Sequence, residues 1–270
     1  MTGTDVTVGS VTTGVMGVLN VTPDSFSDGG RWTDPGRAVA HGLAMIAEGA
    51  TVVDVGGEST RPGAEPVGED EERRRVVPVI AALAPHVRVS IDTRKPGVAE
   101  AAIEAGATLV NDVSASLSGV AATAGSPVGW VAMHMQGEPA TMQVDPHYGD
   151  VVDEVRSFLM ERADVARSAG VDEVWIDPGI GFGKTLAHNL TLLRNLSVLV
   201  GTDLPVVVGT SRKGFLGALT GGADPDDRLE GSLATAVWAA AQGVAMVRVH
   251  DVAATVGGMR LAGDLTPAVG

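Results

Sequence analysis

Thr51-Val52-Val53-Asp54-Val55-Gly56-Gly57-Glu58-Ser59-Thr60-Arg61 is an apolar, β-branched run that stops in a polar, glycine-rich tip. The pattern recurs along the chain. Residues 15–19 run out at Asn20, 87–91 at Asp92, 107–110 at Asn111, and 128–133 at His134. Residues 174–176 end at Asp177, 204–208 at the Gly209-Thr210-Ser211-Arg212-Lys213 tip, and 245–247 at Arg248-Val249-His250. Short apolar runs of this kind read as buried strands. Between them lie helix-length segments: Pro35–Glu48, Glu69–Leu83, Pro96–Glu104, 148–169, 186–200, Leu229–Ala241 and 252–261. Pro35 suits a first helical turn, and the acidic start at Glu69 suits the helix dipole. Glycines that stop helices precede several strands. Strand alternating with helix is the βαβ signature. Eight such units without a break in composition favour a single closed (β/α)8 barrel over an open doubly wound sheet. The barrel is expected over 14–270, behind a polar extension at 1–13, with the strand tips converging on one face as the active site.

Bulk composition agrees. A barrel of this type needs about 250 residues, and the chain has 270, 44% of them hydrophobic and only 3% aromatic. Its core is therefore built from Val, Leu, Ile and Ala. The net charge of −14 argues against nucleic acid or an anionic membrane as partner. With no cysteine, disulfides, zinc–thiolate sites and thiol nucleophiles are excluded. Residues 1–13 lack the basic and apolar regions of a secretory leader, and no run approaches the ~18 apolar residues of a membrane span. A cytoplasmic location is expected. The six histidines show no HxH or HExxH spacing, so a zinc hydrolase is not indicated.

Side chains alternate faces along a strand. Ser90 and Asp92 share a face, as do Trp175 and Asp177, Val18 and Asn20, and Arg248 and His250. Polar groups at the last inward positions would crown the barrel mouth. Asp92, Asn111 and Asp177 suit a flat heterocycle with an amidine-like edge, since a carboxylate accepts two parallel N–H bonds from one. Taken alone, each could equally cap a helix. Arg248 and His250 suit phosphate oxygens, and the amide oxygen of Asn20 suits Mg²⁺. Lys213 could act as a Schiff-base nucleophile, although Arg212 beside it points equally to anion or ring recognition. Residues 22–30 and 59–65 are long, turn-rich connections of the kind that form lids.

The motifs 16–30, 54–63, Asn111-Asp112-Val113, 133–137, 177–184, Ser211-Arg212-Lys213 and 248–251 resemble those of dihydropteroate synthases, and the similarity runs from about residue 14 to about 262. The resemblance implies a (β/α)8 barrel, a homodimer, and Mg²⁺-assisted condensation of 6-hydroxymethyl-7,8-dihydropterin diphosphate with 4-aminobenzoate, a step that sulfonamides inhibit. It implies that Asp92, Asn111, Asp177 and Lys213 hold the pterin, with Met133, Phe182 and Gly209 lining the slot. Asn20, Arg248 and His250 would hold diphosphate and metal, and Thr60, Arg61, Ser211 and Lys213 would frame the aminobenzoate. Asp24, Ser25 and Phe26 would belong to one lid, and Arg61, Pro62 and Gly63 to the other. Many members carry Ser where this chain has Gly214, which leaves only a backbone amide for the aminobenzoate carboxylate. Two other readings share the pocket. A pterin-dependent methyltransferase would lack the two lid motifs and the Arg-Val-His tip, and a pterin-binding chain without turnover would show damage at Asn20, Arg61, Asp92, Lys213 or His250.

Overall fold

The computed structural model describes residues 6–8, 11–22, 35–59 and 66–265. The chain runs β1 (Val6–Val8), β2 (Val11–Asn20), α1 (Pro35–Glu48), β3 (Val52–Gly56), α2 (Glu69–Leu83), β4 (Arg88–Asp92), α3 (Pro96–Glu104) and β5 (Leu109–Asp112). It continues through α4 (Ser118–Thr123), β6 (Gly129–Met133), α5 (Val151–Ser168), β7 (Val174–Asp177), α6 (Leu186–Arg194), α7 (Leu196–Val200) and β8 (Val207–Val208). It ends with α8 (Gly214–Leu219), α9 (Leu229–Ala241), β9 (Met246–Val249) and α10 (Val252–Leu265).

Strands β2 to β9 pair in parallel in the order β7-β6-β5-β4-β3-β2-β9-β8. The ring closes between β7 and β8 through one bridge, Ile176 to Val206, where the Ile176 amide donates to the Pro205 carbonyl at 3.0 Å. Helices surround the ring, so the chain forms the expected (β/α)8 barrel. Within the polar extension, β1 pairs antiparallel with the start of β2, Val8 facing Val11.

The alternation of side chains divides the apolar residues into two cores. Outward-facing Val53, Val55, Ile91, Val110, Ala132 and Ile176 pack against the helices. Inward-facing Met16, Val52, Leu109, Val131, Val207 and Met246 form a separate cluster inside the barrel, with Trp175 against it. Branched and long aliphatic side chains fill a ring of eight strands without a pore. Below them Glu173 accepts a two-pronged ion pair from Arg88 at 2.7 and 2.8 Å, and the Trp175 indole at 2.6 Å. Gly129 makes room for this group, since a Cβ there would lie 2.9 Å from the Glu173 carboxyl carbon.

Asp112, wholly buried on the outer face of β5, organises the turn into α4. It accepts hydrogen bonds from the Ser114, Ser116 and Leu117 amides at 2.9, 2.7 and 2.6 Å, and from the Trp130 indole at 3.1 Å. Removing it strands several buried donors at once. Asp112→Ala is expected to lower unfolding free energy by about 3 kcal/mol, measured by urea denaturation of variant and parent.

Candidate active site

Two residues beyond the apolar interior, the inward positions become polar. Val52 is followed by Asp54, Leu109 by Asn111, Trp175 by Asp177, and Met246 by Arg248. Met133 follows Val131 and Gly209 follows Val207, leaving one wall apolar and another open. In the parallel register Val18 lies beside Asp54, Asn20 beside Gly56, and Gly56 beside Asp92. Asp92 lies beside Asn111, and Met133 beside Asp177. The strand tips therefore collect Asn20, Asp92, Asn111, Met133, Asp177, Arg248 and His250 at one mouth.

Arg248 ties this mouth together. Its Nε donates to Asp54 Oδ2 at 2.6 Å and its second terminal nitrogen to Asp92 Oδ2 at 2.6 Å. Asp54 has no exposed surface, and its Oδ2 also accepts the Asn111 amide at 2.9 Å. Burial opposes the charge on Arg248, but Asp54 and Asp92 hold its pKa above the ordinary value. Burial pushes Asp92 up to about 7; Arg248 opposes the rise, while Asp54 and Glu72 add to it. Asp177 is also raised by burial, against the pull of Lys213 and its hydrogen bond from the Gly179 amide. Two buried polar atoms of the mouth, Asp54 Oδ1 and Ser90 Oγ, make no hydrogen bond among the described residues. They sit on neighbouring register positions, where such atoms usually meet a ligand or water.

The connection from β7 to α6 folds back over the mouth. Asp177 Oδ1 accepts the Gly179 amide at 2.7 Å, and Asn189 Oδ1 accepts the Gly181 amide at 2.7 Å. Gly179, Gly181 and Gly183 all have positive φ, which glycine adopts without steric cost. Lys213 donates to the Ile180 carbonyl and places its ammonium 4.6 Å from the centre of the Phe182 ring. Burial lowers its pKa to about 8, against the raising effect of Asp177.

The tips of β8 and β9 are joined by Ser211, whose Oγ accepts the His250 amide at 3.2 Å and lies 3.0 Å from His250 Nδ1. Arg212 does not face the mouth, contrary to the sequence reading that set it beside Lys213 as a ligand for an anion or a ring. Its backbone is left-handed, with φ of 59°, and its side chain turns outward to Asp251 at 2.6 and 3.1 Å and to Asp226 at 3.1 Å. On the β3 side, Glu58 accepts the Val67 amide and Lys95 Nζ, each at 2.7 Å, tying together the ends of the β3–α2 connection. Lys95 also reaches Glu72, which is almost wholly buried and bonded to Thr93 at 2.8 Å.

The structure thus brings Asn20, Asp92, Asn111, Met133, Asp177, Phe182, Gly209, Ser211, Lys213, Arg248 and His250 to one end of the barrel. Asp24, Ser25, Phe26, Thr60, Arg61, Pro62 and Gly63 lie outside the described residues. Sequence reasoning missed Asp54, although strand alternation puts it on the same inward face as Val52. It also missed Lys184, whose role appears only once the turn is folded.

The chain matches the pterin binding enzyme family over residues 16–250. It is 49% identical to the dihydropteroate synthase of Escherichia coli K12 over 255 residues, 92% of this chain and 89% of that one. The dihydropteroate synthase of Xanthomonas albilineans, solved with 4-aminobenzoic acid, superposes with a TM-score of 0.87 at 45% identity, covering 98% of this chain and 100% of that one. The same enzyme in complex with 7,8-dihydropteroate gives a TM-score of 0.84 at 44% identity, covering 94% and 95%. A crowned barrel with acid–amide–acid tips, matched at these identities over nearly its whole length, belongs to the dihydropteroate synthase family of pterin binding enzymes.

Proposed function

We propose that this chain joins 6-hydroxymethyl-7,8-dihydropterin diphosphate to 4-aminobenzoate, releasing 7,8-dihydropteroate and pyrophosphate. The observation that carries this reading is the buried array Asp54–Arg248–Asp92 with Asn111, Asp177 and Lys213 around it. It presents several acceptors beside a cation, which suits the N–H edge of a reduced pterin. Asp177 and Asn111 would read that edge, and Phe182 and Met133 would flank the ring. The nitrogen of Arg248 that contacts neither carboxylate would face the diphosphate, together with His250.

The reaction fits a dissociative course. The bond from the exocyclic methylene to the diphosphate oxygen breaks first, and its electron pair leaves with pyrophosphate. The cation left behind spreads into the dihydropterin ring, where Asp92 and Asp177 supply fixed negative charge. The aniline nitrogen of 4-aminobenzoate then bonds to the methylene and loses a proton. Lys213 acts as a binder, with no covalent intermediate required. The lid residues Asp24, Ser25, Phe26, Thr60, Arg61, Pro62 and Gly63 would close over this arrangement and hold the aminobenzoate.

Mg²⁺ would neutralise charge on the departing diphosphate. Among the described residues no cluster of three or more His, Asp or Glu could hold a metal unaided. Asn20, at the tip of β2, offers a neutral oxygen. This donor set fits an ion that takes its other ligands from diphosphate and water, the usual manner of Mg²⁺. The enzyme would work as a cytoplasmic homodimer open to sulfonamides at the aminobenzoate site. Exposed Val198, Leu219, Leu229 and Trp238 on α7, α8 and α9 offer apolar surface to a second copy.

The deciding experiment measures pyrophosphate release from dihydropterin diphosphate and Mg²⁺ with and without 4-aminobenzoate. Release that requires aminobenzoate, with an equal yield of dihydropteroate, supports the reading. A protein that binds the pterin without release points to the chain lacking turnover, and methyl transfer from a reduced pterin in its place points to the methyltransferase.

Three variants extend the test. Asp54→Asn should lower kcat/KM for the pterin substrate ~10- to 100-fold by freeing Arg248 and Asn111, read by steady-state kinetics. Below pH about 7 Asp92 takes up a proton and loses the negative charge it offers to Arg248 and to the ring cation, so kcat/KM should fall on the acid side with a midpoint near that value. The limb should vanish in Asp92→Asn, whose residual rate is followed across the same pH series. A Cβ at Gly214 meets nothing within 4 Å, so Gly214→Ser should be accommodated and lower KM for aminobenzoate about fivefold through one added hydrogen bond.

A further inference from the structure

Lys184 closes the glycine-rich turn after β7, and it is 2% exposed. Among the described residues it forms no ion pair with a carboxylate, which is unusual for a buried cation. Its Nζ is instead surrounded by the His134 carbonyl at 3.2 Å, the Gly179 carbonyl at 3.0 Å, the Phe182 carbonyl at 2.9 Å and His134 Nδ1 at 2.9 Å. An ammonium has three donors, shared here among four acceptors, and burial lowers the Lys184 pKa to about 7 against the raising effect of Asp177. His134 is kept neutral, its pKa lowered to about 3 by burial and by the Lys184 charge, which leaves Nδ1 able to accept.

The carbonyls reach Lys184 because the backbone coils around it. A Cβ at Gly179 would fall 1.9 Å from the His134 carbonyl oxygen, and one at Gly183 would fall 2.3 Å from that of Gln136. The turn is therefore pressed onto the end of β6, and the Lys184 ammonium is the group both segments share. On its other side the same turn supplies the Ile180 carbonyl and the Phe182 ring to Lys213, and the Gly179 amide to Asp177.

We propose that Lys184 is the positioning residue of the pterin slot. By gathering the carbonyls of His134, Gly179 and Phe182 it sets the shape of the 179–183 turn, and with it the seats of Phe182, Lys213 and Asp177. Lys184 touches no substrate and acts only through the turn. This inference rests on the pterin reading of the site. It names a residue for which neither the strand-tip pattern nor the ion pairs of the mouth supply a role.

The test compares the parent enzyme with Lys184→Met, which keeps chain length and removes every donor. Pterin binding is followed by fluorescence titration, KM for each substrate and kcat by kinetics, and folding by thermal melting. In the Met variant, the affinity for dihydropterin diphosphate and kcat/KM for it should fall ~10- to 100-fold, the effect expected when a supporting hydrogen-bond partner is lost. KM for aminobenzoate should rise less than the pterin values, because of the three seats only that of Lys213 borders this substrate, a split that a general loss of stability would not produce. Lys184→Gln, which keeps two donors, should recover part of the affinity. A folded Met variant with parental pterin affinity overturns the proposal. So does failure of both variants to fold, which would make Lys184 a support of the barrel and not of the slot. Where Met alone fails to fold, the Gln variant decides by the same split. A parent enzyme that binds no pterin overturns the reading of the site itself and the inference with it. A parent that binds normally beside an unaffected variant overturns the inference alone.

Discussion

Arg248 has to place a full positive charge inside a barrel otherwise filled with methionine, valine and leucine. It does so only because β3 and β4 each deliver a carboxylate to it, Asp54 from one and Asp92 from the other. An ion pair taken out of water costs several kcal/mol in desolvation unless its remaining polar atoms are also satisfied. Asn111 satisfies part of that demand on Asp54, and Asp92 retains the rest as a pKa raised by burial to about 7. The mouth is thus charged and held by its own ion pairs before anything binds. Such pre-organisation suits a reaction whose transition state spreads charge over a ring and a leaving group.

That arrangement depends on strand alternation more than on any loop. The step of two that separates Val52 from Asp54, Leu109 from Asn111 and Met246 from Arg248 turns a filled interior into a polar rim within about 7 Å of strand. The loops refine what the strands deliver. The left-handed Arg212 sends its own side chain to Asp251 while its neighbours Ser211 and Lys213 stay inward. The Glu58–Lys95–Glu72 group ties the foot of the β3–α2 connection to the start of α3.

Much of this was legible in the residues. All eight barrel strands stand where β-branched runs meet polar tips, and α1, α2, α3 and α9 span the residues expected of them. What escaped did so for physical reasons. Helices α4 and α8 have six residues each, too few to show an apolar period. Asp54 is hidden inside an apolar run, and a mid-run acid declares its burial only through partners 57 and 194 residues away. Glu72 reads as a dipole-matched helix start, yet it turns inward because Thr93 and Lys95 wait beneath it. Lys184 follows a chain of glycines, where a lysine ordinarily faces water, and only the folded turn gives it carbonyls in place of solvent. Arg212 looks like a partner of Lys213 until the backbone sign at one residue reverses its direction.

The seam between β7 and β8 gives the barrel one further property. These strands share a single bridge, where every other neighbouring pair shares a ladder of two or more. Directly above the seam, Lys213 from the β8 side reaches across to the Ile180 carbonyl and the Phe182 ring from the β7 side. The thinnest join in the ring is therefore stapled by the same groups that would grip a ligand. A ligand that touches both Phe182 and Lys213 contacts both flanks of that join and becomes, in effect, an added rung. Affinity and cohesion are then one quantity measured from two sides: occupancy tightens the ring, and a looser ring loses its guest.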